Sequence, residues 1–66
     1  MIVRVGRTGS EKKEMDTKSR TVGKLLLELK INPETVIVRQ NSFIRTLDSD
    51  LGEGDEIEII SVVSGG

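Results

Sequence analysis

The strongest constraint on this chain is one helical stripe. Val22, Leu25, Leu26 and Leu29 fall at i, i+3, i+4 and i+7, which is one face of an α-helix. Thr21 stands just before the stripe, where its hydroxyl can cap amides left free at a helix start. Lys24, Glu28 and Lys30 lie largely off the stripe. Glu28 can pair with Lys24, in the less favourable order, and Lys30 suits the negative end of the helix dipole. Pro33 disfavours helical geometry at Asn32, so the helix is expected to stop near Ile31. Leu27 falls off the main stripe and is expected to make an extra core contact at its edge. A helix with one apolar face must bury it against another layer, and in this chain the other regular segments read as strands.

Met1, Val3 and Val5 alternate with Ile2 and Arg4, a period-2 signal. The glycines between Gly6 and Gly9 mark a turn, and a weaker strand near Lys12 to Thr17 returns as a hairpin. After the helix, Thr35 to Arg39 is a β-branched run. Asn41-Ser42 reads as a turn into a short strand at Phe43-Ile44. Asp48 to Glu56 is rich in acids and glycine, with Leu47 and Leu51 expected to anchor it, and a final strand runs from about Glu56 to Val63. The last strand needs a partner, and the N-terminal strand is the natural one. The result is an α+β fold of the β-grasp type: a mixed sheet of four to five strands with one helix packed across one face. Parity sorts the strands consistently. Val3, Val5, Val36, Val38, Ile57 and Ile59 fall toward the helix; Ile2, Arg4, Ile37, Arg39, Glu58, Ile60 and Val62 fall on the other face. One set is wholly apolar and the other mixed, as a sheet covered on one side requires.

Size and composition narrow the function. At 66 residues the chain is one small domain, with little apolar material left for a deep pocket once the core is filled. It has no Cys, His, Trp or Tyr. That excludes disulfides, Cys or His zinc sites, and Cys–His or Ser–His nucleophiles. Ten Lys plus Arg nearly balance eleven Asp plus Glu, and Phe43 is the only aromatic residue, so direct nucleic-acid binding is not expected. With no secretory signal or long apolar run, the expectation is a cytoplasmic protein without membrane contact, monomeric on its own. The acids from Asp48 onward fail as a calcium loop: counted from Asp48, positions 5, 6 and 12 hold Gly52, Glu53 and Ile59. No metal site is expected. A solvated turn is, and its charge would steer a basic patch on a partner.

At the C-terminus, Gly54-Asp55-Glu56-Ile57-Glu58-Ile59-Ile60 is followed by Val62-Val63-Ser64-Gly65-Gly66. This segment resembles the ThiS/MoaD sulfur carriers, the archaeal small modifier proteins and, more distantly, ubiquitin. The likeness covers the whole chain in length and element order and is sharpest over the last strand and tail. It implies a β-grasp domain over residues 1–63 and a flexible Gly-Gly tail over 64–66. It implies that the chain is not an enzyme but a co-substrate with no bound cofactor. A ThiF/MoeB-like activating enzyme would adenylate the Gly66 carboxylate with MgATP. A sulfurtransferase or other persulfide donor would convert it to a thiocarboxylate, and a downstream synthase or thiolase would consume the sulfur. Gly65 and Gly66 lack a Cβ and so suit the narrow channel such a tail must thread. Ubiquitin-like proteins dock through the open sheet face, which here carries Ile2, Ile37, Arg39, Glu58, Ile60 and Val62.

Three fates are compatible with the resemblance: sulfur for thiamine's thiazole, sulfur for molybdopterin or transfer RNA thiolation, and conjugation to lysines through Gly66. A ThiS-like Asn plus Val-Pro-Arg signature is not kept; Asn41 is followed by Ser42-Phe43-Ile44-Arg45-Thr46. That departure weakens the thiazole assignment and leaves thiolation and tagging open. A plain β-grasp binding module that never uses its carboxylate is the competing reading from another class.

Overall fold

The structure, a computed structural model, describes residues 1–62. The Gly65-Gly66 tail, and the boundary expected between residues 63 and 64, lie outside the described residues.

The helix α1 runs Val22–Glu28, with Thr21 as its N-cap. The Thr21 hydroxyl accepts from the Lys24 amide at 3.3 Å. Two further amides of the first turn are taken by a distant loop: Val22 N–H donates to Ser49 O at 3.0 Å and Gly23 N–H to Leu47 O at 2.9 Å. The helix stops earlier than Pro33 implied. Leu29 is the C-cap and Lys30 takes a left-handed φ of 60°. Lys30 N–H then donates to Leu27 O and Ile31 N–H to Leu26 O, which satisfies carbonyls the last turn leaves free. Ile31 packs back on the core, so this local closure, not the proline, ends the helix. Pro33–Thr35 instead forms one 3-10 turn capped by Asn32.

The strands are β1 (Ile2–Arg7), β2 (Lys13–Asp16), β3 (Val36–Gln40), β4 (Phe43–Arg45) and β5 (Glu56–Ser61). They form one sheet in the order β2-β1-β5-β3-β4. β1 and β5 are parallel and the other neighbours antiparallel, so the sheet is mixed with one helix across it, the β-grasp arrangement. Val22, Leu25 and Leu26 of α1 close against Val38, Ile57 and Ile59, all buried, and Val3 is buried as well. Val5 and Val36 are half-buried beside them, so the covered face is the one parity predicts.

Four local expectations change. Gly6 is not in the turn; it stays in β1, where a Cβ would come within 3.0 Å of Glu11 O and Lys12 Cα. Leu27 makes no core contact and is 69% exposed. Leu51 packs against the core, but Leu47 is 43% exposed and its carbonyl accepts from the Gly23 amide of the helix. Glu28 does not pair with Lys24. Its carboxylate accepts from the buried Thr17 hydroxyl and, at 2.8 Å, from Ser19, tying the β2–α1 loop to the helix. The Thr17 and Ser19 hydrogen bonds hold its carboxyl below the ordinary carboxylate range.

Candidate functional site

The open face collects the alternate residues of the strands. The β3–β5 register sets Ile37 directly opposite Ile60 and Arg39 opposite Glu58. Beyond the end of β5, Val62 N–H donates to Thr35 O at 3.0 Å, which keeps Val62 in line with the strand and on the same face as Ile60. Val62 is 50% exposed, and Ile37 is exposed as well. Cross-strand neighbours interact as a unit, so Ile37 and Ile60 form an apolar pair with Val62 diagonally beside it.

Charge brackets this patch. Arg39 Nη1 meets Glu58 Oε1 at 3.3 Å, and one strand over, Arg4 Nη1 meets Glu56 Oε2 at 3.0 Å. Both pairs are partly exposed, so each contributes little to stability, about 0–1 kcal/mol. Arg39 and Glu58 thus stand beside the aliphatic cluster with their charges mutually satisfied, and Arg4 and Glu56 make a second satisfied pair about 13 Å along the strand from the level of Ile60.

Five of the six residues expected on a docking face are therefore adjacent: Ile37, Arg39, Glu58, Ile60 and Val62. Ile2 shares the face but stands apart. Arg7 is level with Ile59 in the parallel pairing, so Ile2 lies about six residues, roughly 20 Å, along the strand from the level of Ile60. Ile2 is instead bound into the far end of the sheet, where its amide donates to the Glu53 carboxylate at 3.1 and 3.2 Å. One residue of the cluster was missed from the sequence. Ile44 pairs with Arg39 across the hairpin, which puts it on the open face, 61% exposed. The two-residue Asn41-Ser42 turn was the signal: counting outward from it pairs residues 40 with 43 and 39 with 44.

The acidic stretch is more than a solvated turn. Gln40 falls on the covered face and is buried. Its amide nitrogen donates to Asp50 O at 2.8 Å and Asp55 Oδ2 at 2.7 Å, and its oxygen accepts from Ser49 at 2.7 Å. Asp55 also accepts from the Asn41 side chain at 2.9 Å and the Gly52 amide at 2.7 Å. Burial works against its charged form, but the bonds from Asn41, Gly52 and Gln40 outweigh it and hold the carboxyl below its ordinary range. Asp55 and Glu53 thus act as internal acceptors that strap the loop to Gln40 and to the start of β1. A surface cleft of about 650 Å³ is an open groove lined by Met1, Thr17, Lys18, Arg20, Asp50 and Leu51, a lining with no paired nucleophile and base.

Comparison with known proteins agrees with this fold. The solved structure of SAMP1 from Haloferax volcanii superposes with a TM-score of 0.71 at 21% identity, covering 100% of both chains. A ubiquitin of Caldiarchaeum subterraneum superposes at 0.66 with 19% identity, covering 100% of this chain and 98% of that one. At such identities the likeness shows the ubiquitin-like fold. In sequence, the sulfur carrier protein TtuB of Thermus thermophilus is 39% identical over 57 residues, 85% of this chain and 88% of that protein. An uncharacterized protein of Archaeoglobus fulgidus is 32% identical over 68 aligned positions, spanning both chains fully. The model of the ThiS family matches residues 5–66, nearly the whole chain and all of its C-terminal segment, and this protein belongs to the ThiS family.

Proposed function

We propose that this chain is a sulfur carrier whose working group is the carboxylate of Gly66. The observation that carries the reading is the family match, which spans residues 5–66 and so takes in Gly65-Gly66, together with a relative at 39% identity that is itself a sulfur carrier. Proteins of this family are co-substrates of other enzymes and not enzymes themselves. A carboxylate is a poor acyl donor until a good leaving group is attached. A ThiF/MoeB-like activating enzyme would supply one: a Gly66 carboxylate oxygen attacks the α-phosphorus of MgATP and pyrophosphate leaves. A persulfide sulfur then attacks the acyl carbon and expels AMP. Reduction of the resulting acyl disulfide by a thiol frees the thiocarboxylate, which a downstream synthase or thiolase consumes. The cluster of Ile37, Ile60 and Val62 with its Arg39–Glu58 rim is the face on which the activating enzyme docks, since Val62 lies four residues from the reacting carboxylate. The absent proline after Asn41 favours transfer RNA thiolation over thiazole synthesis as the destination of the sulfur.

Deletion of Gly66 is the decisive test. The new carboxylate stops one residue short, about 3.3–3.6 Å of extended chain, and misplacement of about 1 Å already costs about two orders of magnitude in rate. Adenylation, read as ATP–pyrophosphate exchange with the cognate enzyme, should be abolished while the thermal melt is unchanged. Exchange at the wild-type rate would remove Gly66 from the chemistry. Intact mass of the protein from its native cells, showing one sulfur in place of one oxygen, would separate the carrier from a lysine-linked modifier.

A further inference from the structure

The two edges of the sheet are treated differently. The β2 edge carries Lys13, Glu14 and Asp16, the charged kind of edge that resists pairing with another chain. The β4 edge carries Phe43-Ile44-Arg45, with Phe43 64% exposed and Ile44 exposed beside it. Its backbone is also available. Asn41 N–H donates to Glu56 O and Val62 N–H to Thr35 O, which turns the odd-numbered residues of β3 toward β5 and leaves Gln40 and Val38 facing β4. Gln40↔Phe43 and Val38↔Arg45 are then the hydrogen-bonded pairs of the β3–β4 hairpin, and Arg39↔Ile44 lies between them. Ile44 therefore points its own N–H and C=O outward, to an edge that no other strand among the described residues pairs with.

We propose that this edge pairs with the same edge of a second copy of the chain, antiparallel, about a two-fold axis at Ile44. The three-residue strand is self-complementary in that register. Ile44 meets Ile44 of the second copy and the two exchange both backbone hydrogen bonds. Phe43 falls opposite Arg45 of the second copy, and Arg45 opposite its Phe43, in the non-hydrogen-bonded positions where side chains approach most closely. The attraction is already visible within one chain, where the Arg45 guanidinium lies 5.6 Å from the Phe43 ring centre. Four such side chains alternate as ring and cation, so each cation has a ring on both near sides and another cation only across the diagonal. The axis runs through the sheet, so both open faces lie on one side. Ile44 then joins the two Ile37–Ile60 clusters into a single apolar surface. Three residues per copy fall well short of the about 1,000 Å² of a stable interface. The pairing is thus weak and concentration-dependent, with a Kd on the order of 1 mM, and the expected monomer is its dilute form.

The test is sedimentation and amide exchange over a concentration series of the full chain. The average mass should rise from monomer toward dimer, and exchange at the Ile44 amide should slow with it. Phe43→Arg places four cations at the junction and should keep the protein monomeric. Adding Arg45→Phe to that variant exchanges the two partners, keeps the alternation and should restore association. Both side chains are exposed, and a thermal melt confirms that each variant is folded. A mass that stays monomeric at millimolar concentration overturns the proposal. So does a Phe43→Arg variant that associates as wild type, or side-chain methyl resonances of Ile37 and Ile60 that shift with concentration while the Ile44 amide stays open to exchange, which would seat the second copy on the sheet face.

Discussion

The two faces of this sheet come from the same strands by simple alternation, yet they carry different duties. On the covered face Val38, Ile57 and Ile59 close on Val22, Leu25 and Leu26; none of these, nor Val3 beside them in the sheet, is more than 3% exposed. On the open face Ile37, Ile44 and Val62 remain in water, and the charges among them are paired as Arg4–Glu56 and Arg39–Glu58. Burial of apolar area is the main source of stability in a domain this small. The covered face has that stabilisation already. The open face keeps apolar area in water, which docking would bury under the proposed function, beside ion pairs too exposed to contribute much to folding. One sheet therefore separates the residues that hold the fold from those free to meet partners.

Substitutions on each face should break this contrast if it is wrong. The largest effect is expected from Leu26→Ala. Truncating a fully buried leucine costs about 2–5 kcal/mol, a large share of the about 3–10 kcal/mol available to a chain of this length. The variant should be largely unfolded or melt far below wild type by circular dichroism, and an unchanged melt would remove α1 from the core.

A smaller effect is expected under acid, on the covered side. Asp55 and Glu28 both have carboxyl groups held below the ordinary range by hydrogen bonds. A group whose folded pKa is depressed stabilises the fold above its unfolded pKa. It loses that contribution as pH falls through the folded value. Stability should thus be flat above about pH 5 and decline through and below the ordinary carboxylate range of about 3.9–4.3. Denaturant melts at stepped pH should show a shallower acid slope for Asp55→Asn, and an identical slope would mean the loop strap is not linked to folding.

Least effect on stability is expected from Val62→Asp, within about 0.5 kcal/mol, with Ile60→Asp somewhat more disruptive because it is half-buried beside Ile37. Both should nonetheless weaken binding to the activating enzyme, because the new charge would be desolvated on docking without a counter-ion. Equal affinity of wild type and both variants in a titration would move the interface elsewhere.

Much of this was legible before any coordinates. The helix face at Val22, Leu25 and Leu26, the Thr21 cap, the type of nearly every element and the partition of the strands between two faces follow from periodicity and local chemistry. Those signals act over a few residues, and the chain carries them wherever it goes. Glu28 shows the limit: Lys24 is its neighbour in sequence, but Thr17 and Ser19 reach it first because the β2–α1 loop folds over the helix. Gln40 marks a case where part of the signal was present. The parity of Val36 and Val38, carried one step past Arg39, reaches it and puts it on the covered face, where a polar side chain needs partners, but nothing local says that Ser49, Asp50 and Asp55 would return to supply them. Leu27 was misassigned because a stripe gives the direction of a face and not how far the sheet extends beneath it.

What the sequence determined alone is the set of strands and the helix, the covered core and the C-terminal segment that carries the family resemblance. Only the tertiary structure decided that Ile44 joins Ile37 and Ile60, that Ile2 stands about 20 Å away on the same face, and that the acidic loop is strapped down by Asp55. Each depends on register between strands that are distant in sequence. Register is a long-range quantity, set when β5 lies between β1 and β3, and a shift of one residue would have moved every side chain to the opposite face.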